Sequence, residues 1–161
     1  IRTTDAATVD AVMASLAAYA AAGAGHRGEG ESSGPVSPFS SKFIPPLSLV
    51  AYGRRLLKYC YCAPHGVLIG VVLLCRYCKA TRHRLTPHTV HRLLLTSVVV
   101  ALKTHFDVFY SNQYYAQVGG ITTAEINRLE VALLDGLHFG ATATLEELAA
   151  VTQRFSREAA R

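Results

Sequence analysis

Seven histidines, eleven carboxylates and four cysteines are the side chains here most able to do chemistry. Their spacing assembles no familiar catalytic machinery. The chain has no nucleophile elbow, glycine-rich phosphate loop or HExxH pair. No catalytic residue is assigned, and a non-catalytic protein is expected. His65, His83, His88 and His91 fall near expected helix starts, where capping or exposure accounts for them. The cysteines form two close pairs, Cys60 with Cys62 and Cys75 with Cys78. Structural zinc favours C-x2-C at tight knuckles. Cys75 and Cys78 instead read as mid-helix neighbours on one face. Reduced, partly buried thiols are expected, with no metal and no cofactor.

Two charges stand where charges are costly. Lys103 follows Val98, Val99, Val100, Ala101 and Leu102, and Phe106 lies a turn on. Glu130 occupies a gap in the apolar stripe Ile126, Leu129, Leu133, Leu137. An isolated buried charge costs at least several kcal/mol. Two explanations stay open from the residues alone. One is an internal ion pair, or a lysine stretched toward solvent at a helix end. The other is a rim of apolar surface where both groups bond a partner's backbone.

The elements that must position these groups are helices. Residues 5–22 are alanine-rich, with Val9, Val12, Leu16 and Tyr19 on one narrow stripe. Residues 23–38 are rich in Gly, Ser and Pro and read as a linker. Ser48 after Pro45-Pro46 caps a helix over 49–61, and Pro64 opens one over 64–81. Thr86-Pro87 predicts a helix over 87–105, despite three consecutive valines that suit a strand. A short helix over 112–118 ends at Gly119-Gly120. "TTAE" and "TLEE" are capping boxes for helices over 122–135 and 144–157. The expected organisation is an N-terminal helix (1–22), a linker (23–38) and a helical body (39–161). The helices 64–81 and 87–105 are apolar enough to be surrounded by the others.

Composition bounds the rest. Half the residues are hydrophobic and 17% are charged, as in a buried globular fold. The net charge of +5 suits an acidic partner without demanding nucleic acid. The runs 66–75 and 93–102 reach about half of the ~20 residues a bilayer needs, so no membrane span is expected. The chain begins at Ile1 and reads as a segment of a longer protein. Residues 75–84 with His88, His91 and Arg92 form a basic end. It is either solvated cations offsetting helix dipoles or a patch for an acidic or phosphorylated protein substrate, or for nucleic acid.

The stretch from "PPLSLVAYGRRLLKY" through "HRLLLTSVVVALKTHFDVFYSNQYYAQVGGITTAEINRLEVALLDGLHF" resembles the box of the P/U-type cyclins. "N..YA.VGG" followed by "E.N.LE" carries the resemblance most specifically. It covers about residues 39–155. It implies an all-α, single five-helix cyclin box, flanked by an N-terminal accessory helix and a C-terminal helix. It implies a cyclin-dependent protein kinase as partner, activated by the chain as regulatory subunit. Lys103 and Glu130 match the family's lysine and glutamate that grip the kinase's regulatory helix. Phe106 and Leu134 would frame the apolar contact by helical phase. An intracellular setting, nucleus or cytoplasm, is expected; the kinase and the pathway stay open.

One departure bears on the box itself. Family members carry an Asp-Arg pair in the second box helix, the Asp bonding an arginine of the first. Here Cys75 precedes Arg76, so Arg55 lacks that acceptor and must find another, such as a carbonyl, or reach solvent. The alternative reading is a nucleic-acid-binding cyclin-fold module of the transcription machinery. Such modules carry two boxes in tandem, and this chain has room for one. A scaffold without a kinase, its two charges paired internally, is the third reading.

Overall fold

The computed structural model describes residues 5–24 and 37–159, which form seven helices and no strand. They are α1 (Ala6–Ala24), α2 (Leu49–Tyr59), α3 (Pro64–Thr81), α4 (Val90–His105), α5 (Asn112–Gly119), α6 (Thr123–Gly136) and α7 (Leu145–Ala159). Most of the expected linker lies outside the described residues. Local chemistry sets the ends. Ser48 accepts from the Ala51 N–H at 3.1 Å, and Pro64 stands at the start of α3. Ser111 caps α5, and Gly120 closes it at φ 75°. Both capping boxes form: Thr122 with Glu125, and Thr144 with Glu147.

One start differs from expectation. Thr86-Pro87 does not open α4, because residues 86–89 close a turn first. The Thr86 carbonyl accepts from both Thr89 and Val90 N–H at 3.0 Å, and the helix begins at Val90. The threonine-proline pair was read as cap and first helical residue, but Thr89 takes the cap position.

The long apolar pair α3 and α4 forms the centre. The helices run antiparallel in close contact: a Cβ on Gly70 would sit 2.9 Å from the Val98 Cα. From Leu93 to Leu102 every α4 residue is buried, so the three valines pack on all sides and tertiary burial overrides their strand preference. Around this pair lie α1, α2, α6 and α7. Helix α1 packs on α2, α3 and α7 through Val9, Val12, Met13, Leu16 and Ala20. Tyr19, expected on that stripe, is 54% exposed, and Met13 replaces it, seated against Gly53. By length and composition alone Ala6–Gly23 is apolar enough to cross a membrane, which the sequence reading did not recognise. Its five buried apolar side chains belong to the core cluster of the bundle.

Candidate functional site

Lys103, Asn112 and Glu130 meet where the last turn of α4, the first of α5 and the middle of α6 converge. The Lys103 ammonium donates to both Glu130 carboxylate oxygens at 2.9 Å and to Asn112 Oδ1 at 2.6 Å. The Asn112 amide in turn donates to Glu130 Oε2 at 2.8 Å and to Asn127 Oδ1 at 2.7 Å. All three ammonium protons are used. The carboxylate, with about four acceptor positions, keeps one open. The Lys103 and Glu130 side chains are 24% and 17% exposed, so the pair is half-buried yet still faces outward.

The two residues that the sequence marks as misplaced charges are therefore each other's partner. Asn112 was not marked by the sequence pattern. Ser111 does the capping, and the Asn112 side chain is freed to bridge acid and base.

Several exposed apolar residues lie close to the pair in sequence. Val108 lies in the segment from α4 to α5 and is 81% exposed, with Phe109 beside it. Val131, next to Glu130, is 67% exposed, and Phe139, just past α6, is 74% exposed. None of these four was singled out from sequence. Phe106 and Leu134, which were, are half-buried and packed on the core. Phe106 stacks on His65 with ring centres 5.3 Å apart, and Leu134 lies one turn after Glu130. The chain turns sharply after α6, with His138 and Phe139 in the left-handed region at φ 50° and 60°. That region is strained for residues with a Cβ and persists only where the surroundings enforce it. The following loop is tied to α4: the Thr104 hydroxyl lies 3.1 Å from the Ala141 carbonyl, and the Ala143 N–H donates to His105 Nε2 at 3.0 Å.

The two structural arginines are both engaged. Arg55 Nε donates to the Val118 carbonyl at 2.7 Å, so a carbonyl replaces the missing aspartate. A cation there also opposes the negative end of the α5 dipole. Tyr52 adds a hydroxyl bond to the Gly119 carbonyl at 3.0 Å. Arg76 donates to the carbonyls of Gly140 and Thr142 at 2.6 and 2.9 Å, and to Glu147 at 2.6 Å. That bond and the Thr144 N–H hold the Glu147 carboxyl below its usual range.

The cysteines are free, and burial pushes Cys60 and Cys78 up to about 12, and Cys62 and Cys75 to about 11. They are neutral thiols at physiological pH. Among the described residues, no group of three or more His, Cys, Asp and Glu side chains is placed to hold a metal. The basic end divides. Arg76 is engaged as above, Arg92 pairs with Glu125 at 3.0 Å, and His88 and His91 bond the Ser41 and Leu47 carbonyls. Lys79, Arg82 and Arg84 remain at the surface.

The described residues thus form a helical bundle that carries a partly buried acid–base pair. The family is defined by comparison with known proteins. The family model described as Cyclin matches residues 3–141, and the chain belongs to the cyclin family. It is 39% identical over 120 residues to Cyclin-P3-1 of Oryza sativa subsp. japonica, covering 74% of this chain and 51% of that protein. It is 40% identical over 104 residues to Cyclin-U3-1 of Arabidopsis thaliana, covering 65% and 47%. Cyclin-U4-1 of Arabidopsis thaliana is 41% identical over 109 residues, covering 65% and 52%. The P/U-type resemblance read from the motifs agrees with these relatives. The chain spans about half the length of the curated relatives it matches.

Proposed function

We propose that this chain is the regulatory subunit of a cyclin-dependent protein kinase, that it binds the kinase through the Lys103–Glu130 face, and that it activates it. The observation that carries the reading is the pre-paired charge cluster, partly buried yet open to the outside, with exposed Val108, Phe109, Val131 and Phe139 in the segments that adjoin it along the chain. Kinase activation requires a regulatory helix to move so that its glutamate meets the catalytic lysine. A rigid surface that binds only the helix-in state shifts the population by its differential affinity. Here the ion pair supplies rigidity. Three helices hold both charges in place before binding, which lowers the ordering cost of association. The open Glu130 acceptor position can take a partner N–H. Lys103 can offer a proton to a partner carbonyl by releasing Asn112. Phe106 and Leu134, both packed on the core, frame the apolar contact in this reading.

The chain contributes no catalytic group in this reading, and it acts inside the cell, in the nucleus, the cytoplasm or both. The four free thiols suit a reducing compartment. Docking of an acidic or phosphorylated substrate is a secondary role of the same subunit. The nucleic-acid alternative has less behind it, because Arg76 and Arg92 are tied to carboxylates. The test is affinity purification of the chain from its native cell, with kinases identified by mass spectrometry. Kinase capture that is lost in Lys103→Glu and in Glu130→Lys supports the reading. Salt-sensitive DNA binding unaffected by either change, with no kinase captured, overturns it.

A further inference from the structure

A second recessed surface lies toward the opposite end of α3. Gly66, beside Leu102 and Phe106, marks the α3 end nearest Lys103. Lys79 is thirteen residues further along, roughly 20 Å at 1.5 Å per residue. There α1, α3 and α7 diverge around a groove of about 780 Å³. That volume falls in the ~300–1,000 Å³ range of ligand clefts.

The groove is apolar inside and basic at its edge. Its walls are formed by Tyr19, Cys75, Cys78 and Val151, over a floor of buried Leu16 and Val72. The two thiols are neutral because burial raises them to about 11 and about 12. Among the described residues that line it, Arg76, Lys79 and Arg154 carry positive charge and Glu147 negative charge. That carboxylate is already engaged: one oxygen accepts from Arg76 and the other from the Thr144 N–H. Arg154 pairs with Glu158 at 3.7 Å and lies over the Phe155 ring, and its side chain is 58% exposed. Lys79 has no hydrogen bond or ion pair among the described residues. His83, also on the wall, has a neutral ring disfavoured from charging by burial, and its Nε2 has no partner. An apolar trough carrying surplus positive charge and an unpaired ring nitrogen is incomplete without something oily and anionic.

We propose that this groove binds an acidic peptide segment of another protein, with apolar side chains in the trough and carboxylates on Lys79 and Arg154. The cations sit on different elements, α3 and α7, at separate edges of the groove. That spread suits carboxylates distributed along a chain better than one anionic headgroup. Charge steers the encounter, and apolar burial holds the complex. The site is independent of the kinase reading, since it shares no residue with the Lys103–Glu130 face.

The test is fluorescence anisotropy with a labelled short peptide alternating Glu with Leu and Phe. A matched peptide with Lys for Glu, and laurate, serve as comparisons. The purified chain is expected to bind the acidic peptide, with affinity falling as salt rises, and to ignore the basic one. Lys79→Glu with Arg154→Glu should weaken binding at least about tenfold. Lys42→Glu, away from the groove, should leave it unchanged. Both changed groove residues are exposed, so circular dichroism should be unaltered, and kinase capture should persist in the double variant. The proposal is overturned by absent peptide binding, by equal binding of the basic peptide, by an unchanged affinity in the double variant, or by laurate binding alone.

Discussion

Gly70 is the position where the packing of α3 on α4 can be tested most sharply. An alanine Cβ there would lie 2.6 Å from Val98 Cγ2, 2.9 Å from Val98 Cα and 3.0 Å from Val98 N. A methyl branch could rotate away, but Cα and N cannot. Relief needs the two helices to part by about 0.5–1 Å, against close-packed interiors that resist such shifts. Overpacking of this kind costs about 1–3 kcal/mol and occasionally more. With backbone atoms blocking, we take about 3–4 kcal/mol, less about 1 kcal/mol regained from alanine's helix preference. The net loss is about 2–3 kcal/mol. For a chain of this size that lowers Tm by about 4–12 °C, at roughly 2–4 °C per kcal/mol. Differential scanning calorimetry of Gly70→Ala reads the shift directly. Adding Val98→Ala removes Cγ2 but leaves both backbone contacts, so it should not rescue the fold. Gly120→Ala is the control, with nothing within 4 Å and only its positive φ at stake, so about 1 kcal/mol. A Gly70→Ala protein as stable as wild type, or a double variant restored to wild-type Tm, would refute the backbone contact that fixes α4 and hence Lys103.

Three further outcomes follow from the same coordinates. Arg76→Ala should loosen the loop before α7 and expose residues 140–159 to limited proteolysis. Because Glu147 is held low by Arg76, its share of stability exists above the ordinary carboxylate range and disappears as pH falls through it; the difference between wild type and variant in urea melts should therefore narrow in acid. His91 is buried with Nδ1 unpartnered, and burial lowers its pKa below 6.5. The folded state thus binds fewer protons than the unfolded one, so stability should fall as pH drops below about 6.5, less steeply in His91→Gln, as measured by pH-dependent chemical denaturation. All four thiols should alkylate slowly with iodoacetamide at neutral pH and rapidly in guanidinium, because burial keeps them protonated.

What could be read from sequence was mainly local. Ser48, Pro64 and the two capping boxes act within a turn of their own helices, so their residue types alone located four starts. Thr86-Pro87 failed because a hydroxyl and a carbonyl three residues apart can close a turn as well as a helix cap. The anomaly of Lys103 and Glu130 was also legible, since each interrupts an apolar pattern. Their pairing was one of two explanations the sequence left open, and it could not be selected there, because it spans 27 residues and needs the α4–α6 contact. Asn112 carries no local sign of its bridging role, since asparagine beside a serine at a helix start reads as a cap. The carbonyl that receives Arg55 belongs to α5, 63 residues away. Tyr19 and Met13 exchanged places because an alanine-rich helix offers a stripe too narrow to fix its own rotation. Gly53 on α2 decides it by admitting the Met13 side chain.

In the proposed complex a kinase reads Lys103 and Glu130 individually, beyond their bond to each other. Exchanging them in one protein, Lys103→Glu with Glu130→Lys, separates the two roles. The ion pair can re-form, and the Asn112 amide can turn to exchange oxygen for nitrogen, so Tm should return toward wild type from the lower values of the single variants. Capture of the kinase by that exchanged protein is the decisive measurement. Stability regained with kinase binding still lost is the predicted result. Kinase binding as strong as wild type in the exchanged protein would mean that the pair only braces the bundle, and would contradict the account.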